Sequence, residues 1–144
     1  MTNYGPPEKV YVENEWYDGP RSGVADIKGR PHRFKSLFDE KDDEYLGTFM
    51  VWSIDEESLE LEIEQWCIFV NWNVLYESGK ADTESHPGLG GINPRWDEIE
   101  VRLKRSRSEI PADAQKAIAE VEHINRENRY ELSGPDYMIR WCVL

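Results

Sequence analysis

Residues 45–56 read YLGTFMVWSIDE, and this stretch decides the fold class because it holds a strand signal and a helix signal side by side. Its first part is rich in β-branched and aromatic side chains, which favour a strand. Ser53 and Glu56 then have the spacing of a capping box, in which a serine caps a helix and a glutamate follows three positions later. The stretch therefore predicts a strand that leads directly into a helix.

The chain before this stretch predicts three further strands. Apolar and polar residues alternate over 10–16, which is the period of a half-buried strand. Turn-forming residues occupy 18–23, and a tight Lys-Gly turn follows a short apolar run at 24–27. Residues 32–38 complete the set. The first half of the chain is therefore predicted to be rich in strands.

The chain after the stretch predicts three helices and a final strand. Apolar residues at helical spacing predict a first helix over about 54–78. An Asn-Pro pair at 93–94 predicts the start of a second helix, and a proline opens a third helix over 111–125. Residues 137–144 read as an apolar strand inside the sheet. The chain is therefore predicted to be an α+β domain, a four- to five-stranded, largely antiparallel sheet with about three helices packed on one face.

The length and composition predict a single globular domain over residues 1–144. Six tryptophans and seven tyrosines exclude a disordered chain. No apolar run approaches the about 20 residues of a membrane-spanning helix, and the first residues lack the features of a secretion signal. Cys67 and Cys142 lie in apolar company and are predicted to be reduced thiols, with a disulfide between them as the alternative. A cytoplasmic protein with no membrane partner is therefore expected.

The negative charge is concentrated in one segment. The formal net charge is -12, and residues 39–64 hold 11 acids and one base. Direct contact with nucleic acid is disfavoured, because phosphates require a basic surface. Glu56, Glu60 and Glu64 form a stripe on the predicted first helix, where like charges repel one another. The stripe is predicted to be solvated, to pair with the basic residues of 102–107, or to contact a basic partner.

The aromatic residues of the first helix extend beyond one face. Trp66 and Trp72 lie well apart around a helix that turns about 100° per residue. Either the helix is covered on two sides or some of these rings are exposed. Because exposed tryptophans are enriched at interaction surfaces, Trp72 is a candidate contact residue.

These features favour a small, acidic protein-binding module as the leading hypothesis. An inhibitor or immunity type of protein would use its negative charge to speed association with a basic partner protein. Glu56, Glu60, Glu64 and Trp72 would then form the contact surface.

The alternative hypothesis is a small-molecule binder or an enzyme of unknown reaction. It would use the loops at 18–23 and 86–91, with Asp18, Arg21, His32 and His86 as its polar residues. This hypothesis requires the four side chains to converge on one pocket. A third hypothesis is a homo-oligomer in which the apolar C-terminal strand pairs between chains.

The motifs predict neither a metal nor a cofactor. The acidic loop at 39–44 departs from a calcium-binding loop, because Lys41 and Glu44 occupy positions that need an oxygen ligand and a glycine. Glu120 and His123 have the spacing of a carboxylate di-metal motif, but the motif occurs once where such sites need it twice. The glycine-rich loop at 86–91 lacks the pattern of a phosphate-binding loop.

Overall fold

The computed structural model describes residues 2–42 and 44–144. Within them, six strands form a closed antiparallel barrel. The strands follow the order β1-β2-β3-β4-β5-β8 around the barrel. Their bounds are β1 Pro7–Trp16, β2 Pro20–Ile27, β3 Arg30–Asp39, β4 Glu44–Ser53, β5 Gln115–His123 and β8 Tyr137–Val143. Two short strands, β6 Tyr130–Glu131 and β7 Gly134–Pro135, pair separately. Asp43, one of the acids of the predicted segment and of the loop at 39–44, lies outside the described residues.

Two α-helices connect β4 to β5. They are α1, Glu56–Glu77, and α2, Pro94–Ser108, and two short 3-10 turns lie between them. Asp55 caps α1 by accepting a hydrogen bond from the Ser58 amide, whereas the predicted cap, Ser53, is still paired in β4. Asn93 caps α2, as the sequence predicts. Within residues 2–42 and 44–144, neither helix has the length and apolar character that a membrane crossing requires.

The predicted sheet of four to five strands under about three helices is wrong, because the strands close into a barrel and the predicted third helix is β5. The sequence favoured a helix because Pro111 could open it and because apolar residues follow at helical spacing: Ala114, Ala117, Ile118, Val121 and Ile124. In the structure Ala117, Ala119 and Val121 pack into the barrel, and they alternate with the half-buried Ile118 and the exposed Glu120 and Glu122. Each edge of β5 pairs with a neighbouring strand, β4 or β8. Strand pairing on both edges therefore outweighs the local preference for a helix.

Aromatic rings fill the barrel. Phe34, Phe49 and Trp141 lie within contact distance of one another, with ring centroids 5.9, 5.6 and 5.7 Å apart. Val10 and Ile139 belong to the same buried cluster. These residues come from β1, β3, β4 and β8, so the interior core ties distant parts of the chain together.

A second core lies outside the barrel, beneath the helices. One buried row of side chains crosses four strands in register: Val12, Val24, Arg33 and Trp52. Residues opposite each other on neighbouring strands share a face of the sheet. Trp66 and Val70 of α1 pack against the two valines of this row. The helical layer is therefore seated on the outer surface of β1 to β4.

The charged member of this row, Arg33, meets a carboxylate from α1. Its Nη1 donates to Oε2 of Glu62 at 2.6 Å, and both side chains are almost fully buried. Arg107 of α2 donates to the same carboxylate through Nη2 at 2.6 Å and Nε at 3.0 Å. One buried carboxylate thus joins the barrel, α1 and α2.

The ionised form of Glu62 is the stable one in the folded protein. Burial alone raises the pKa of this carboxyl group, but hydrogen bonds and positive charge from Arg107 and Arg33 outweigh burial and hold the pKa below its usual range. Because the native pKa is lowered, these contacts add stability above the unfolded pKa. That stability is lost as the pH falls through the native pKa.

The substitution Glu62→Gln should lower the free energy of unfolding by about 3–5 kcal/mol, because it leaves the buried guanidinium of Arg33 without a countercharge. The same substitution at Glu60, which is exposed on the same helix, should change it by less than about 0.5 kcal/mol. Urea unfolding followed by tryptophan fluorescence measures both. A small and equal effect at the two positions would contradict the role assigned to Glu62.

Candidate functional site

A cleft of about 260 Å³ opens between β1, α1, α2 and the loop that carries His86. Its volume lies just below the range of about 300–1,000 Å³ that is usual for ligand pockets. Four rings form an aromatic wall: Trp66, Phe69, His86 and Trp96. The remaining lining residues are Val12, Glu13, Asn14, Glu62, Gln65, Glu100 and Arg107. The cleft therefore combines an apolar wall with a polar one.

The aromatic wall is held by contacts behind it. Trp66 and Phe69 are three residues apart on α1, so they share a helix face. The indole Nε1 of Trp66 donates to the backbone carbonyl of Glu131 at 2.7 Å. The Tyr130 ring packs edge-on against both, at 5.7 Å from Trp66 and 5.0 Å from Phe69. These contacts fix both rings before any ligand binds.

His86 completes the wall from a loop between the helices. Its Nδ1 accepts a hydrogen bond from the Gly88 amide at 2.8 Å, so in the neutral ring Nε2 carries the proton. A Cβ at position 88 would lie 3.0 Å from the imidazole, so glycine lets the backbone approach this ring closely. The ring packs edge-on against Trp96, with centroids 6.3 Å apart. The predicted loop at 86–91 thus contributes to the cleft.

The polar wall is a connected hydrogen-bond network. Arg107 donates to Glu62, to Oε1 of Gln65 at 2.6 Å and to Oε1 of Glu100 at 2.9 Å. Nε2 of Gln65 also donates to Oε1 of Glu100 at 2.9 Å. Asn14 of β1 donates to Oε1 of Glu62 at 3.3 Å. Each side chain has at least one partner in the network, so the wall is preorganised.

Glu13 adds a second buried carboxylate beside the cleft. Its Oε1 accepts a hydrogen bond from the Tyr137 hydroxyl at 2.9 Å, and its Oε2 lies 3.8 Å from the guanidinium of Arg129. Burial raises the pKa of Glu13, although the hydrogen bond from Tyr137 and the charge of Arg129 partly oppose the shift. Burial, followed by the charge of Glu13 and its hydrogen bond, raises the pKa of Tyr137.

The predicted acidic stripe divides into paired and unpaired residues. Glu64 forms a bidentate pair with Arg95 of α2, with Nη2 and Oε1 2.7 Å apart. Glu56 and Glu60 are exposed, and neither forms an ion pair with another described residue. Among the residues of 102–107, Arg107 turns toward Glu62 instead of the stripe.

Trp72 lies behind the cleft and supports it. Its Nε1 donates to Oγ of Ser85 at 2.9 Å. Its ring lies 4.5 Å from the His86 ring and stacks on Tyr76 at 5.0 Å. Trp72 is absent from the lining of the cleft, so it positions His86 from the far side.

The structure does not bring the four predicted polar residues together. Of the four, His86 alone lines the described cleft. Asp18 lies in the turn between β1 and β2, where Arg21 donates to the backbone carbonyls of Tyr17 and Asp18. His32 is on β3, and its Nδ1 lies 2.7 Å from the Arg30 carbonyl oxygen. Asp18 and Arg21 thus belong to a hairpin turn that is stabilised within itself.

Several lining residues carry no recognisable signal in the sequence. Glu62, Glu100 and Arg107 belong to charged runs, and the contact considered between such runs was that of residues 102–107 with the stripe on the first helix, which does not include Glu62. Glu13 alternates with apolar residues in a strand. Trp96 is the exception, because its helical spacing with Ile99 and Leu103 predicts that it lies on the apolar face of α2. The rest depends on how α1 and α2 pack on the barrel.

Neither a metal site nor a similarity to known proteins indicates a function for the described residues. Among the residues that the structure describes, no three His, Cys, Asp or Glu side chains are grouped so that they could hold a metal ion. Comparison with protein-family models, with curated proteins and with solved structures gives no match for this chain. The function must therefore be argued from the geometry of the site.

Glu13 should impose a pH dependence on stability. Because its native pKa lies above the usual 4.5, the native state holds this proton more tightly than the unfolded chain. Its contribution to stability is full below the unfolded pKa and is lost as the pH rises through the native pKa. In Glu13→Gln the free energy of unfolding should therefore rise relative to wild type as the pH increases from the usual carboxyl pKa of 4.5 through the higher native pKa.

Chemical denaturation across this pH range measures the effect. The control is Glu15→Gln on the same strand, where the side chain is exposed and the same charge is removed. Parallel pH profiles for the wild type and Glu13→Gln would show that burial does not disfavour the Glu13 carboxylate.

Proposed function

We propose that the protein binds a small molecule in the cleft between the barrel and its two helices. The observation that carries the proposal is the construction of the cleft, with an aromatic wall on one side and a hydrogen-bonded polar wall on the other. Ligand sites are commonly concave, largely apolar and formed in advance, with a few polar groups that orient the ligand.

Preorganisation supports this proposal. Trp66, Phe69 and His86 are each held by contacts outside the cleft. The polar wall is held by the carboxylate that joins the barrel to α1 and α2. A ligand that enters such a cleft loses little affinity to the ordering of side chains.

A second candidate function is protein binding through α1, the leading hypothesis from the sequence. Its support is an exposed surface on this helix away from the cleft lining. Glu56 and Glu60 are exposed near the start of α1, and Val74, Leu75 and Tyr76 are 60%, 46% and 42% exposed near its end. An acidic and partly apolar helix of this kind fits a basic partner of the inhibitor or immunity type.

The predicted location and assembly remain part of the proposal. Cys67 and Cys142 are free thiols in the structure, which is consistent with a reducing compartment such as the cytoplasm. β8 pairs with β1 and with β5 of its own chain, so the route to a homo-oligomer through this strand would require the barrel to open.

Trp96→Ala should abolish the effect of cleft ligands. In a thermal-shift screen of metabolites, a ligand at 100 times its dissociation constant stabilises the wild type by about 2.7 kcal/mol. This gain should disappear in Trp96→Ala, which removes one ring of the cleft wall. Val101→Ala is the control, because this side chain is on the same helix as Trp96, is 77% exposed and lies outside the lining, so the gain should remain. A ligand that stabilises both variants equally would bind elsewhere, and the cleft would lose its assigned function.

Neutralising the unpaired acids of α1 should weaken binding of a basic protein. In the double variant Glu56→Gln/Glu60→Gln, association should slow and its dependence on salt should flatten, because steering by exposed charge is screened. Glu120→Gln/Glu122→Gln on β5 removes the same net charge from another exposed surface. If a basic protein that binds the wild type associates with both double variants at the same rate, the acidic start of α1 is excluded as the contact.

A further inference from the structure

The charges around the cleft are balanced within the protein. Every carboxylate in the lining has a guanidinium nearby: Glu13 with Arg129 at 3.8 Å, Glu62 with Arg33 at 2.6 Å and Glu100 with Arg107 at 2.9 Å. Three negative charges therefore face three positive ones. A charged ligand would have to compete with one of these pairs for its countercharge.

The hydrogen-bonding capacity of the polar wall is also largely used. Each oxygen of Glu62 accepts two hydrogen bonds, which fills the about four sites of a carboxylate. Arg107 donates four hydrogen bonds, to Glu62, Gln65 and Glu100. A guanidinium has about five N–H groups, so one is left for a ligand. The wall thus offers a ligand one N–H donor of Arg107 but no ion that lacks a countercharge.

The groups in the cleft that can still bond to a ligand include both hydrogen-bond donors and acceptors. His86 presents Nε2–H as a donor, because its Nδ1 accepts from Gly88. Oε2 of Glu100 and Oδ1 of Asn14 have no hydrogen-bond partner among the described residues and can accept. The rings of Trp66 and Trp96 line the cleft and add aromatic contact surface.

We infer that the cleft selects an uncharged molecule with a flat ring, whose face stacks on the aromatic wall and whose edge both donates and accepts hydrogen bonds. The inference rests on the proposed function and names its ligand class. A charged ring would enter a site whose countercharges are already occupied, and it would lose its own hydration there.

Three ring compounds of nearly equal shape test this selection: benzamide, which is neutral, benzamidine, which is a cation, and benzoate, which is an anion. Titration of each is followed by NMR through the indole N–H signals of Trp66 and Trp96. Benzamide should bind roughly tenfold more tightly than either charged compound, because the charged rings lose hydration without gaining a free countercharge.

A change in the charge balance should change the selection. Glu100→Gln removes a carboxylate that is about half exposed and leaves Arg107 with surplus positive charge. The ratio of benzoate affinity to benzamide affinity should then rise by roughly tenfold, because the surplus positive charge favours the anion alone. Glu98→Gln is the matched control, because Glu98 is on the same helix, pairs with Arg95 and Arg102 and does not line the cleft.

The outcomes separate the inference from the proposed function. Tightest binding of benzamidine or benzoate to the wild type would overturn the neutral ligand class and leave small-molecule binding in place. Metabolites that act through Trp96 but are sugars or acyclic molecules would overturn the flat ring in the same way. If none of the three compounds shifts the indole signals of Trp66 or Trp96, and no metabolite stabilises the wild type more than Trp96→Ala, the proposed function fails with the inference. An equal benzoate affinity in Glu100→Gln and Glu98→Gln would show that the balance of charge does not control selection.

Discussion

The carboxylate of Glu62 is the constraint on which the arrangement of the barrel and its helices depends. It lies on the buried side of α1 and is held by Arg33 of β3 and Arg107 of α2. A buried ion pair is weak evidence for added stability, because desolvation offsets the attraction between the charges. It can still specify an orientation, since a rotation of α1 that carried Glu62 away would leave the buried charge of Arg33 without its countercharge from α1. We infer that this contact sets how α1 lies on the barrel, while the apolar contacts of Trp66 and Val70 supply the burial.

The same network explains why a cleft exists beside the contact. Gln65 and Glu100 extend the network to the edge of the helical layer, where Trp96 and His86 close the opposite side. A fully apolar helix interface would be free to close by small shifts of packing. Directional hydrogen bonds resist such shifts, because each one is lost when its geometry changes. The cleft is thus a consequence of a polar contact between layers of the fold.

Local signals in the sequence predicted most elements but not the topology. The strands of the first half, both helices and the C-terminal strand lie near their predicted positions. The error over residues 111–125 has a physical cause. A short apolar run that contains alanines fits the period of a helix and that of a strand, and the strands that pair with β5 are distant in sequence. Closure of the barrel depends on β8 meeting β1, a contact that no local pattern records. The candidate site shows the same limit, because His86 was identified whereas Glu62 was counted only as part of an acidic segment.

The acids of α1 illustrate why a charge pattern is insufficient to locate a function. Glu60, Glu62 and Glu64 are close in sequence, yet one is exposed, one is buried between two guanidinium groups and one pairs with Arg95. Nearby positions on a helix face different surroundings, so the role of each carboxylate depends on the residues that it contacts. Glu62 is occupied in holding the fold and forming the cleft, and the exposed acids alone can meet a partner. Because the exposed acids lie outside the cleft lining, ligand binding and partner binding would use separate surfaces of α1. Any coupling between the two would have to pass through the position of the helix itself, which the buried carboxylate holds.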